Sequence, residues 1–427
     1  MEQRESKFKF FYQTGWIAVA TALGGAFMYA VHMVAKDMPK SEYGVFTALL
    51  QVLNLMGIPA IGLQSVFAQQ AASAVGDAAH QQLVGTVRSV MKGILWIWLV
   101  MVGVLVVAQQ YVIDSLQVAN PAALWMTAVV GLFAMWMPIM SGLLQGQQSF
   151  FWYGLVSIAG GFARFLGVVI IVRLLGGWAA GGMTAVLFGL IISLGIGAWQ
   201  NRACWIGAAQ SINWREWLGR VVPLTLGAGA TLFMMSADMI FVQKYFDRNE
   251  TGFYAAAGMI GRALVFFTAP VAAVMFPKIV RQAATGEKST VLLQALGVTA
   301  LLGMGAALFC TVLPEFPLRL VYDKTFLKVA PVVPWFVWCV VPLTVANVLV
   351  NNLLARKQFK VVPWLILLAG GYALALQWRA STADKTDLIH GFSQVVQMLG
   401  LFSLGMVAIC LWFSLKNKQN SAADQAR

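Results

Sequence analysis

Apolar stretches of about twenty residues, each long enough at helical rise to cross the hydrocarbon of a bilayer, recur along the entire chain. Only short polar gaps separate them, and no gap is long enough for a soluble domain. The pattern predicts an all-α polytopic membrane protein with about twelve transmembrane helices, at 14–34, 45–68, 90–109, 121–142, 151–172, 178–200, 221–242, 253–276, 290–312, 330–353, 361–378 and 391–414. Composition makes the same demand. With 60% hydrophobic and 11% charged residues and a mean hydropathy of +0.76, no soluble 427-residue domain could enclose this much apolar surface in one core, so the solvent must be lipid.

The first stretch, Thr14 to Val34, follows Arg4, Lys7 and Lys9 and so resembles the start of a secretory signal. Its apolar run is too long and more spans follow, which predicts an uncleaved first helix. Trp16, Trp152, Trp178, Trp199, Trp217, Trp378 and Trp412 fall near expected helix ends, where an amphipathic ring sits at headgroup level. Of the 29 basic residues, seventeen fall in segments on the N-terminal side of the membrane and ten on the other, which predicts both termini in the cytoplasm. That bias accounts for much of the net charge of +13, so the charge is no argument for nucleic acid. The two remaining basic residues, Arg164 and Arg262, lie inside expected helices. Cys204, Cys310, Cys339 and Cys410 are far apart, without CxxC spacing or suitable His neighbours, and read as apolar packing rather than a metal site.

The two halves echo each other. Ala-Phe-Met at 26–28, with His32 and Met33, aligns with Leu-Phe-Met at 232–234, with Asp238 and Met239. After a two-residue insertion, Glu42, Gly44 and Phe46 align with Glu250, Gly252 and Tyr254, and Gln-Ala-Ala-Ser at 70–73 aligns with Gln-Ala-Ala-Thr at 282–285. Leu-Leu-Gln-Gly-Gln-Gln-Ser-Phe at 143–150 resembles Leu-Leu-Ala-Arg-Lys-Gln-Phe at 353–359. The shared order predicts two six-helix lobes, 1–205 and 206–427, related by a pseudo-twofold axis along the membrane normal and enclosing a central cavity.

A charged side chain at mid-bilayer costs on the order of 2.5 to 3.5 kcal/mol on insertion scales, so intramembrane charges are candidates for function. Asp238 near the outer end of the seventh helix and Arg262 in the eighth could form an ion pair within one hairpin. One carboxylate cannot neutralise two guanidiniums. Backbone carbonyls, snorkelling or water could serve the surplus, and so could a substrate phosphate gripped bidentately, with Arg262 the stronger candidate and Arg164 either a second contact or a lock between helices. His32 and Asp238, equivalent in the repeat, are a candidate titrating pair near the outer mouth, against the plainer reading of a His at the interface. Asn347 and Asn351 share a helix face and could meet sugar hydroxyls or bond a neighbouring helix. Trp335 and Trp338 could stack on a sugar, but three residues apart they also fit an interfacial belt and are left out of the site. Pro59, Pro138, Pro270 and Pro342 interrupt helices at points where the chain can bend. No enzyme constellation is visible on the short outer loops, the longest of which, 313–329, offers only Glu315 and Asp323, and there is no GxxxxGK[ST] loop for a nucleotide-driven pump. No cofactor is expected.

Three segments carry a resemblance to a known family: Ser-Glu-Tyr-Gly-Val-Phe-Thr-Ala-Leu-Leu at 41–50, Leu-Gln-Gly-Gln-Gln-Ser-Phe at 144–150, and Ala-Asp-Met-Ile-Phe-Val-Gln-Lys-Tyr-Phe at 237–246 with Glu-Thr-Gly-Phe-Tyr-Ala-Ala-Ala at 250–257. Over nearly its whole length the chain resembles the oligosaccharide flippases, the polysaccharide exporters of the multidrug/oligosaccharidyl-lipid/polysaccharide (MOP) superfamily. The resemblance implies a two-lobed transporter that moves a polyprenyl-diphosphate-linked oligosaccharide from the cytoplasmic to the outer leaflet by alternating access, for cell-surface polysaccharide such as lipopolysaccharide. Its implied partners are that lipid-linked substrate, membrane lipids, and glycosyltransferases or a polymerase of the same pathway. Several relatives carry basic residues on cavity-lining helices, which Arg262 matches, whereas the first helix here carries His32 where some relatives have basic residues. The rivals are a cation-coupled multidrug exporter of the same superfamily, for which one Asp against two Arg is the wrong polarity, and a non-transporting scaffold of a polysaccharide synthesis complex.

Overall fold

The computed structural model describes residues 2–74, 76–265, 291–383 and 387–425. All regular structure among them is helical: α1 (Glu2–Ala35), α2 (Lys40–Met56), α3 (Ile58–Ser73), α4 (Asp77–Ser115), α5 (Pro121–Gly146), α6 (Phe150–Val168), α7 (Trp178–Gln200), α8 (Trp214–Tyr245), α9 (251–265), α10 (Val291–Val312), α11 (Glu315–Val321), α12 (Val332–Ala355), α13 (Val362–Thr382) and α14 (Leu388–Gln425). Nine of the helices among the described residues are long and apolar enough to cross a membrane, and α1 adds a shorter apolar stretch at Ala22–Ala35. Among the described residues, α1, the α2–α3 pair and α9 stand where the first, second and eighth of the twelve expected spans fall.

Three elements depart from expectation for local physical reasons. The helix expected at 45–68 splits at Gly57, whose N–H donates to the carbonyls of Leu53 and Asn54 and closes α2, while Pro59 sits in the first turn of α3, where its missing N–H costs nothing. Hydropathy runs unbroken across this joint and cannot register it. The 313–329 loop is partly helical, with Pro314 capping α11, an Arg319–Glu315 pair one turn apart, and a 3₁₀ segment at Lys324–Val329. At the end of α6 the chain widens into a π-helical turn, Val169–Leu174, then reverses through Gly176 at φ 67°, a left-handed conformation that a side chain resists.

Of these helices, α4 is far longer than a bilayer needs, since 39 residues at helical rise span about 58 Å against about 30 Å of hydrocarbon. Its middle is bare to lipid, with Trp96 70% and Val107 88% exposed. Its first three turns lie beyond the stretch expected at 90–109.

The chain forms two compact units, Met1–Thr225 and Leu226–Arg427. The division between these units falls inside α8, whose first turns pack in the first unit: Trp217 and Val221 are buried in a cluster with Leu63, Phe67, Val87 and Ile139. Within that unit Gly142 and Gly146, one turn apart, bring α5 against the backbone of α3 at Gln64 and Ala68, close enough that a Cβ at either glycine would overlap it. In the second unit α12 lies along α14, where Gly400 makes room for Cys339.

Candidate functional site

The second unit holds a buried charge network. Asp238 sits two turns before the end of α8, and α9 returns with Tyr254 and Arg262 eight residues apart, hence on one face. Arg262 Nη2 donates to both oxygens of Asp238 at 2.6 and 2.7 Å, and its Nε donates to the Met235 carbonyl at 2.9 Å. Tyr254 Oη donates to Asp238 Oδ2 at 2.7 Å. Asp238 and Tyr254 are fully buried and Arg262 nearly so. The guanidinium also lies 5.6 Å from the ring centre of Phe336 on α12, and Phe336 and Phe392 close over Tyr254 at 5.0 and 5.1 Å. A buried pair recovers its desolvation only if the remaining lone pairs and protons are served, and here three donations converge on one carboxylate. Among the described residues Arg262 Nη1 makes no hydrogen bond; it lies against Gly258, where a Cβ would overlap it.

The first unit treats the equivalent position differently. His32 Nδ1 is 3.0 Å from Tyr43 Oη, with Phe46 beside the imidazole. Each member of the His32/Asp238 repeat pair thus meets a tyrosine from the next helix of its own unit. The other buried carboxylate, Glu42, accepts from the Ala179 N–H at 3.3 Å, where it caps the first turn of α7 and opposes the positive end of that helix.

Arg164 stands apart. Its Cβ packs at Gly189 of α7, its Nε is buried without a hydrogen-bond partner, and no carboxylate pairs with it among the described residues. Asn347 and Asn351 turn to each other along α12, where Asn351 Nδ2 donates to the Asn347 carbonyl at 2.8 Å and to its Oδ1 at 3.1 Å. Trp335 and Trp338 are exposed, and Trp338 Nε1 donates to Thr311 Oγ1. Pro138 and Pro342 lie inside α5 and α12; Pro270 and the segment 282–285 lie outside the described residues. So Asp238 and Arg262 come together, while Arg164, His32 and Asn347 each sit elsewhere. Sequence reasoning missed Tyr254 and Tyr43 as partners. The alignment of Phe46 with Tyr254 was the available signal, since it sets a hydroxyl beside the only intramembrane carboxylate of the second half.

Neither a family model nor a curated protein sequence matches the chain. Solved structures do. The inward-facing conformation of a multidrug resistance MATE family transporter of the MOP superfamily superposes with a TM-score of 0.71 at 12% identity, over 94% of this chain and 98% of that one. The inward closed conformation of lipid II flippase MurJ gives 0.68 at 14% identity, over 95% and 90%. A MOP superfamily transporter from Pyrococcus furiosus, described as having a binding pocket of reversed polarity that suggests a different function, gives 0.66 at 13% identity, over 95% of each chain. The chain therefore has the polytopic, two-lobed fold of MOP superfamily transporters.

Proposed function

We propose that the chain is a flippase of the cytoplasmic membrane that carries a polyprenyl-diphosphate-linked oligosaccharide to the outer leaflet by alternating access, for cell-surface polysaccharide. The observation that carries this reading is the polarity of the membrane-embedded charge: Arg164 and Arg262 against Asp238, with Asp238 already bound by Arg262. A diphosphate headgroup is anionic and planar guanidinium donors suit it. In this reading Arg262 is a ready phosphate contact, since its pair fixes the side chain while Nη1 is unspent. Arg164 supplies the uncompensated charge. The name of the flippase with the same fold, MurJ, says that it handles lipid II, itself a lipid-linked substrate.

The rival, a cation-coupled multidrug exporter, draws on the equally good superposition with the MATE transporter. A cationic drug or coupling ion would need an available buried carboxylate. Among the described residues the buried carboxylates are Asp238 and Glu42, and both are engaged.

The test is reconstitution of the full chain in liposomes with a fluorescent polyprenyl-diphosphate-linked oligosaccharide in one leaflet, scored by the access of an added glycosidase. Parallel vesicles loaded with ethidium are given proton or sodium gradients. Glycan that changes leaflet without ethidium movement supports the flippase. Gradient-driven ethidium movement with immobile glycan replaces it with the exporter.

A further inference from the structure

The first unit contains a recess that the charge network does not touch. The protruding first turns of α4 form one wall, the end of α3 a second, and the segment 201–213 with the first turns of α8 the third. Its volume is about 320 Å³, at the small end of the range of ligand cavities. The walls are pinned by long-range bonds. His80 Nε2 donates to the Ala203 carbonyl at 2.9 Å, Arg88 Nε to the Trp205 carbonyl at 2.7 Å, and Gln210 N to the Gln81 carbonyl at 3.1 Å. Gly85 admits the Gln210 carbonyl so closely that any Cβ would expel it. The 201–213 segment is therefore built against α4, and the recess is a fixed feature of the unit.

Its chemistry is polar and neutral. Gln82, Thr86, Ser73 and Asn213 contribute amides and hydroxyls, and the two charged groups, Glu216 and Arg220, pair with each other one turn apart on α8. Compensated by each other, they leave the recess without net charge, so nothing in its lining favours a charged ligand over a neutral one. Trp217, only 6% exposed, forms part of the wall, and its Nε1 and the Gln70 Oε1 are buried without a partner. A wall with one unmet donor, one unmet acceptor and several amphoteric groups beside an indole fits a ring that carries hydroxyl and amide groups.

We infer that this recess binds a neutral sugar ring of the glycan headgroup, apart from its diphosphate, on the face of the membrane that holds segments 69–89 and 201–220. The inference rests on the flippase reading for the identity of the ligand and on the basic-residue bias for calling that face cytoplasmic. It assigns the sugar and the diphosphate to separate contacts.

The test measures binding of undecaprenyl diphosphate bearing N-acetylglucosamine, of bare undecaprenyl diphosphate and of free N-acetylglucosamine to the full chain in lipid nanodiscs. The sugar-bearing lipid is expected to bind about tenfold tighter than the bare lipid, the worth of one or two net hydrogen bonds. Gln82→Leu, at an exposed position, and Thr86→Val, nearly isosteric, should each shrink that preference and together abolish it, with affinity for the bare lipid unchanged. Competition by free sugar shows that the recess reads the ring alone; loss of the preference in the variants without such competition shows that it reads the ring only when the lipid presents it. Either result supports the site. A wild type without preference, or a preference that survives both variants, overturns it. Preference without translocation in liposomes would keep the recess and remove the flippase reading; translocation without preference would do the reverse.

Discussion

Replacing Asp238 with Asn leaves the buried Arg262 guanidinium with neutral acceptors and no counter-charge, and replacing Arg262 with Gln leaves a buried carboxylate with neutral donors such as Tyr254 and no counter-charge. Removing one member of a buried pair costs about 3 to 5 kcal/mol, because the charge left behind is desolvated without compensation. In the double variant Asp238→Asn/Arg262→Gln no charge remains, and two amides of similar reach can still bond Tyr254 and the Met235 carbonyl. Its cost should fall to about 1 to 2 kcal/mol, the net worth of one or two hydrogen bonds. Additive singles would predict roughly 6 to 10 kcal/mol, so the expected coupling is several kcal/mol, well beyond the scatter of independent sites. Unfolding by SDS titration in mixed micelles measures all four proteins on one scale. A double variant that loses as much as the two singles combined would refute the buried pair as the source of the cost. The same double variant also separates stability from transport. If it folds stably yet no longer moves the lipid-linked glycan, Arg262 acts on substrate; if transport survives, Arg262 only fastens α8 to α9.

Further outcomes follow from the packing and the loops. Gly142→Ala and Gly146→Ala should each lower stability by about 1 to 3 kcal/mol by forcing α5 from α3, read by the same titration, whereas Gly103→Ala, whose Cβ would meet nothing, should be neutral or slightly stabilising. Glu42→Gln should cost about 1 kcal/mol through the α7 cap and appear as faster amide exchange at the α7 N-terminus. Burial and then the neighbouring Asp247 carboxylate hold Glu250 above its ordinary value, so the fold disfavours its charged form. Its contribution is fully present below the ordinary carboxylate range and is lost as pH rises through the raised value. Glu250→Gln should therefore raise the thermal midpoint at pH 7 to 8 and leave it unchanged below pH 4. The four cysteines are buried, and burial pushes the Cys204 thiol up against a smaller opposing effect of the Gln147 hydrogen bond; maleimide at pH 7.5 should label none of them until SDS exposes four per chain.

The spans were legible because a lipid solvent enforces apolar runs of one length, and the Asp238–Arg262 pair was legible because so few charges compete within adjacent spans. What escaped was non-local or chemically mute. Tyrosine counts as apolar in a hydropathy window, so Tyr254 and Tyr43 hid inside their helices. The first turns of α4 are polar and read as loop, since what holds them, the 201–213 segment, is about 120 residues away in sequence. Pro59 marked the interruption at the Gly57 joint, though not a split into two helices, while the missed α11 had a local sign, the Glu315–Arg319 spacing, that a search for long apolar runs passes over.

A ligand can shift a conformational equilibrium only by its difference in affinity between the two states. The Asp238–Arg262 pair lies wholly within one unit and is held by three converging donations, so if it persists in both states it contributes no bias of its own. Its effect is to cancel one charge and fix one guanidinium edge. At the matching place in the first unit, His32 and Tyr43 make a bond whose donor depends on the imidazole tautomer. If the chain transports as proposed, the bias has to come from groups whose partners change between states, and among the described residues Arg164, with a buried Nε lacking a partner, is one charged group placed to gain one.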